Sequence, residues 1–77
     1  MEERLLKNTL KVQRAIKNWT QQELAHKVGV TRKTINTVEN GKYVPSTYLA
    51  LKLAKVLEVS VEELFQLPED QSESYRE

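Results

Sequence analysis

The sequence predicts an all-α fold, a compact domain of five short helices. Three observations carry that expectation. Apolar residues recur at three- and four-residue steps in successive segments, the spacing of one helix face. A Ser or Thr stands ahead of four of those segments (Thr20, Thr31, Ser46 and Ser60), where its side-chain oxygen can cap a helix. No segment reads as a credible strand.

The 77 residues support one small domain. A chain of this size buries only about 60% of its unfolded surface, so its core must be simple. Cysteine is absent, which excludes disulfides and thiolate metal sites and suits a reducing cytoplasm. No apolar run approaches the ~20 residues of a membrane span, and Met1-Glu2-Glu3-Arg4 lacks the layout of a signal peptide. The net charge of +1 hides a division. Residues 4–55 hold eleven Lys and Arg against Glu23 and Glu39, whereas residues 56–77 hold seven acids against Arg76. A basic body with an acidic end suits attraction to phosphates over one surface.

Taken in order, the first helix is expected from about Lys7 to Lys17, with Met1–Arg4 fraying or extending it. Leu6, Leu10, Val12 and Ile16 are its apolar contacts, and Asn18, which tolerates a left-handed conformation, ends it. Trp19 precedes the cap of the next helix and can staple to Leu24. A core role suits it, with a base-stacking platform as the alternative. Thr20 and Glu23 form a capping-box pair, Leu24, Ala25 and Val28 make the inner face, and Gly29 stops the helix. Thr31 caps a third helix only two residues later, with Ile35 and Val38 facing inward and Gly41 closing it.

So tight a connection forces a steep crossing, and the small Ala25 lets the two backbones approach. The spacing is that of a helix-turn-helix, whose second helix enters a DNA major groove. On the outer face of that helix stand Arg32, Lys33, Asn36 and Thr37, which can hydrogen-bond base edges, with no carboxylate among them. Gln21 and Asn40, at the ends of the two helices, and Lys42 beyond them are placed to grip phosphates and carry no sequence information.

Lys42-Tyr43-Val44-Pro45 is a loop, and Ser46 caps a fourth helix from Thr47 to Leu57. Leu49, Ala50, Leu53, Ala54 and Leu57 form its core stripe. Ser60-Val61-Glu62-Glu63 is a second capping box, opening a short fifth helix that closes on Leu64 and Phe65. These elements define a domain over residues 1–67. Residues 68–77 read as an acidic tail, expected to be disordered.

Residues 10–67 resemble the Cro/C1-type helix-turn-helix domain of lambdoid phage repressors and small prokaryotic regulators. The matching signature is Gln21, Ala25, Gly29, Ile35, Glu39-Asn40-Gly41 and Pro45-Ser46, followed by Ser60-Val61-Glu62-Glu63-Leu64-Phe65. The resemblance implies an ion pair between Arg14 and Glu39. It also implies a homodimer on DNA, with Val61, Leu64, Phe65 and Leu67 as candidates for the interface. Gln13 stands where many members carry an apolar residue, so the first helix is expected to bury a narrow stripe.

No catalytic constellation is visible. His26 is the only histidine, and no neighbour completes a ligand set with it, so neither metal nor cofactor is expected. The two glycines, twelve residues apart, are helix stops rather than a phosphate cradle. The expected protein is therefore a cytoplasmic regulator binding double-stranded DNA in a sequence-specific way, with repression by operator occupancy as the default. Two alternatives remain. One is the antitoxin of a toxin–antitoxin pair, which also binds a toxin protein. The other is a protein-interaction module on the same fold.

Overall fold

The computed structural model describes residues 6–68. The expectations for Met1–Arg4 and for the acidic tail after Pro68 lie outside the described residues. The element order is β1 (Lys7–Asn8), α1 (Leu10–Ile16), α2 (Gln21–Val28), α3 (Arg32–Glu39), α4 (Thr47–Leu57), α5 (Val61–Leu64) and β2 (Phe65–Gln66).

Helix ends set this architecture, because helices this short leave most of their terminal backbone groups without intrahelical partners. At the N-termini, the Thr20, Thr31, Ser46 and Ser60 side chains accept from the backbone N–H of Glu23, Thr34, Leu49 and Glu63. Glu23 and Glu63 return the bond to the backbone of Thr20 and Ser60, so both expected capping boxes form. At the C-termini one device recurs. Asn18, Gly29, Gly41 and Glu58 take positive φ values of 62°, 78°, 74° and 63°. The residue after each then donates back into the helix: Trp19 to Arg14, Val30 to Ala25, Lys42 to Thr37 and Val59 to Ala54.

Between these ends the apolar faces close on one core. α2 contributes Leu24, Ala25 and Val28, α3 contributes Ile35 and Val38, and α4 contributes Leu49, Leu53, Ala54 and Leu57. Leu10 and Leu64 complete it, both fully buried. α2 packs against α3 and α4, α1 against α3, and α5 against α4. Among the described residues no polar or charged side chain is buried in this core. Removing a large side chain there costs both transfer energy and a cavity, so Leu53→Ala is expected to lose about 2–5 kcal/mol in urea denaturation.

The chain departs from expectation at its two ends. The first helix begins at Leu10, not near Lys7, because Lys7 and Asn8 pair antiparallel with Gln66 and Phe65. A strand pair therefore exists where none was expected. Its physical reason lies in α5, four residues long, whose last carbonyls need partners. The Gln66 amide donates to Glu62 O and Glu63 O, the Thr9 hydroxyl to Glu63 O, and the Thr9 N–H to Leu64 O. Phe65 is extended rather than helical, at φ −127° and ψ 135°.

Two burial expectations fail with the shortened helix. Val12 and Ile16 are exposed, at 57% and 67%, which leaves Leu10 as the buried anchor of α1. Leu64, expected in a dimer interface, is 0% exposed and belongs to the domain core. It lies on the face of α5 that packs against α4 and joins the core cluster.

Glu58 is the one αL helix stop that is neither Gly nor Asn, and its Cβ is strained there. Its carboxylate accepts a hydrogen bond from the Lys17 ammonium, which holds its pKa below the ordinary value. That pair is present at neutral pH and is lost as pH falls through the lowered pKa. Glu58→Gly and Glu58→Ala both delete the pair, but only glycine relieves the backbone. The glycine variant is therefore expected to melt at the higher temperature of the two in a thermal denaturation scan.

Candidate nucleic-acid interface

A carboxylate at the end of α3 ties that helix to α1 and to the start of α2. Glu39, the last residue of α3, has a side chain only 4% exposed, and it collects donors from two other helices. Arg14 of α1 donates from Nε to Oε2 at 2.7 Å and from Nη2 to Oε1 at 3.3 Å. Gln21, the first residue of α2, donates from Nε2 to Oε1 at 3.0 Å. Arg14 also donates from Nη1 to the Trp19 carbonyl at 2.9 Å, just before α2 begins. With its charge satisfied inside the domain, Glu39 does not oppose phosphates outside it.

The same network continues onto the outer face of α3. Gln21 Nε2 donates to Asn36 Oδ1 at 3.2 Å, and Arg32 Nη1 donates to Gln21 Oε1 at 3.3 Å. Gln21 was expected to grip phosphate and nothing more. Its amide also touches two side chains of the expected reading face, so it can orient that face as well. Sequence spacing gives no sign of this, because Gln21 and Asn36 are brought together only by the helix crossing.

Arg32, Lys33 and Asn36 are exposed, and Thr37 is half-buried. The Thr37 hydroxyl donates back to Lys33 O and Thr34 O, at 3.1 and 2.9 Å, so what it offers a base is its methyl group and oxygen lone pairs. Arg32 and Lys33 occupy the first turn of α3, where the helix dipole disfavours cations and no acid offsets them. The cations therefore break a local helix preference with no compensating contact from an acid in that turn.

At the far end of α3 the backbone is spent. The N–H groups of Asn40, Gly41 and Lys42 donate to Asn36 O, Val38 O and Thr37 O. Any phosphate contact from this loop must come from the exposed Asn40 and Lys42 side chains. The eight residues of α3 run about 12 Å. That is close to the ~12 Å width of a B-DNA major groove.

Other residues singled out in the sequence lie elsewhere. Trp19 is half-buried against the core, and the Lys27 ammonium sits 4.6 Å from its ring centroid, so the indole face is covered rather than open to a base. His26 is exposed on α2. Val61 and Phe65 are half-buried beside the core, while Leu67 is 79% exposed.

A crossed helix pair with a cationic, amide-rich outer helix defines a DNA-binding helix-turn-helix module. The comparisons with known proteins agree: the helix-turn-helix family profile matches residues 10–64. An uncharacterized HTH-type transcriptional regulator of Methanocaldococcus jannaschii is 48% identical over 66 residues, covering 86% of this chain and all of that protein. Antitoxin HipB of Escherichia coli is 38% identical over 56 residues, covering 73% of this chain and 60% of its own length. The crystal structure of a putative DNA-binding protein from Bacteroides fragilis superposes with a TM-score of 0.72 at 31% identity, over 80% of this chain and all of that one. This chain belongs to the helix-turn-helix family of Cro/C1 type, a family of DNA-binding transcription regulators.

Removing one partner of a buried ion pair leaves the other uncompensated. Glu39→Ala is expected to cost about 3–5 kcal/mol. Against a total stability on the order of 5–15 kcal/mol, that brings the domain close to unfolding. Urea denaturation followed by far-UV circular dichroism checks it.

Proposed function

We propose that this protein is a cytoplasmic transcriptional repressor that occupies a two-fold symmetric operator in double-stranded DNA as a homodimer. The observation that carries the reading is the outer face of α3. Arg32 and Asn36 are held there by the Glu39–Gln21 network, and Arg32 and Lys33 oppose the helix's own dipole. Arg32 suits a bidentate contact with guanine, Lys33 approaches guanine acceptors, Asn36 fits adenine and Thr37 packs its methyl on thymine. Gln21, Asn40 and Lys42 hold the backbone on either side. Residues 1–67 are the binding unit, and residues 68–77 form an acidic tail that screens the basic surface from non-specific DNA.

One module reaches only a few base pairs, so pairing supplies the specificity. Half-sites about 34 Å apart follow from the geometry of paired recognition helices. With Leu64 withdrawn into the core, Leu67 and the partly exposed Val61 and Phe65 remain for an interface at the C-terminal end. Similarity to an antitoxin favours a second reading, in which a toxin protein binds the same chain. Co-expression with the product of an adjacent gene, giving a stable complex, would support it.

Selection of bound sites from random duplexes tests the primary reading directly. Arg32→Ala is expected to cost about 1–3 kcal/mol on the selected site and to relax the preference at one base pair. Gln21→Ala is expected to weaken binding to every duplex and to broaden that same preference, because Arg32 loses its Gln21 partner. Fluorescence anisotropy on the selected site and on single-base variants measures both. Wild-type affinity should fall with salt at a log–log slope of about −0.9 per phosphate neutralised, and a flat response would speak for a protein-interaction module instead.

A further inference from the structure

We propose that Lys7, carried on β1, is a further contact to the DNA backbone and forms a phosphate-binding cleft with Asn40 at the end of α3. The proposal rests on the DNA-binding reading and adds to it a residue outside the helix-turn-helix. A shallow, open depression of about 380 Å³ lies between β1 and the end of the third helix, lined by Leu6, Lys7, Asn8, Glu39, Asn40 and Gly41. It lies at the end of α3 opposite Arg32.

The chemistry of the lining decides what the cleft lacks and what Lys7 supplies. It sits at the C-terminal, partly negative pole of α3, where an anion is repelled unless a cation faces it. The backbone N–H groups of Asn40, Gly41 and Lys42 are already bonded within the turn, so they cannot serve as an anion nest. The Glu39 carboxylate is committed to Arg14 and Gln21. Of the described lining residues, Lys7 is the one cation, and it is exposed.

The position of Lys7 is built rather than incidental. Its strand is paired with β2 in a fixed register, Lys7 with Gln66 and Asn8 with Phe65. The Asn8 amide donates to Val38 O of α3 at 2.9 Å, and Asn8 Oδ1 accepts from Leu10 N–H at 2.9 Å. The backbone carrying the ammonium is thus tied to the recognition helix itself and to the C-terminal strand. Little backbone freedom is lost when Lys7 meets a phosphate, so more of the attraction is retained as binding.

The source of that phosphate is the DNA strand flanking the groove. The cleft adjoins the Asn40-Gly41-Lys42 loop, and a strand gripped by Asn40 and Lys42 continues along its mouth. Electrostatic attraction at a distance is largely screened at physiological salt, where the Debye length is about 8 Å. A loss that persists there identifies direct contact.

The test is Lys7→Ala, with Lys7→Arg beside it, titrated against the selected duplex and a scrambled one across a range of salt. Lys7→Ala is expected to weaken both duplexes by the same factor and to make the log–log salt slope shallower by about 0.9 per protomer. Lys7→Arg is expected to keep the wild-type slope, and both variants to keep the wild-type thermal midpoint. An unchanged slope and affinity in Lys7→Ala would overturn the assignment, as would a loss on the selected duplex alone. A wild-type chain that binds neither duplex, at any salt, would instead overturn the DNA-binding reading itself.

Discussion

The contact on which the rest of this structure depends is the carboxylate of Glu39. Three donor groups from two neighbouring helices converge on its two oxygens, from the Nε and Nη2 of Arg14 and the amide of Gln21. The angle between α2 and α3 is the functional variable of a helix-turn-helix, because it decides whether the recognition helix can enter a groove while its partner reaches the backbone. Apolar packing of Leu24, Ala25, Ile35 and Val38 brings the helices together but is tolerant of small slides. Directional hydrogen bonds to a nearly buried carboxylate are not: the bidentate Arg14 guanidinium fixes α3 against α1, and the Gln21 amide carries that constraint to the start of α2. Net stabilisation from such a pair can be small after desolvation. Its contribution here is geometric.

The same contact connects the core to the outer face of α3. Gln21 is bonded to Glu39 on one side and to Asn36 and Arg32 on the other, so core geometry and that face share one amide. The cations of the first turn of α3 work against their own helix, and Glu39 itself would repel DNA if it were exposed. Arg14 removes the second problem by holding the carboxylate inside. The first remains as a local cost, since no acid stands in that turn.

A domain of so few residues has little core with which to enforce its shape, and it relies on its ends. Four helices close on left-handed residues with the same return hydrogen bond, which redirects the chain sharply without lengthening the loops. Where α5 is too short to close that way, β1 crosses its end and takes up the last carbonyls through Thr9, while Gln66 covers the others. The strand pair also joins the two ends of the domain, and through Asn8 it reaches the carbonyl of Val38 on the recognition helix.

Much of this was legible in the sequence wherever the deciding interactions are local. The caps at Thr20, Thr31, Ser46 and Ser60, the stops at Asn18, Gly29 and Gly41, and the stripe from Leu49 to Leu57 each depend on residues within a few positions of one another. The outward placement of Arg32, Lys33 and Asn36 follows from the same helical periodicity. The left-handed turn at Glu58 was not legible, because glutamate has no preference for it and Lys17, its partner, is distant in the chain. The β1–β2 pair was equally hidden, since two-residue strands carry no periodic signal. Tertiary structure alone decided that Leu64 faces the core, that Val12 and Ile16 face solvent and that Gln21 touches the reading face. Each of these depends on which distant segment arrives at a given surface, and local propensity holds no information about that arrival. The sequence by itself determined the helices and the chemistry they display, because hydrogen bonds at helix ends and side-chain periodicity are short-range; their mutual placement, and with it the interface, was decided by contacts between residues far apart in the chain.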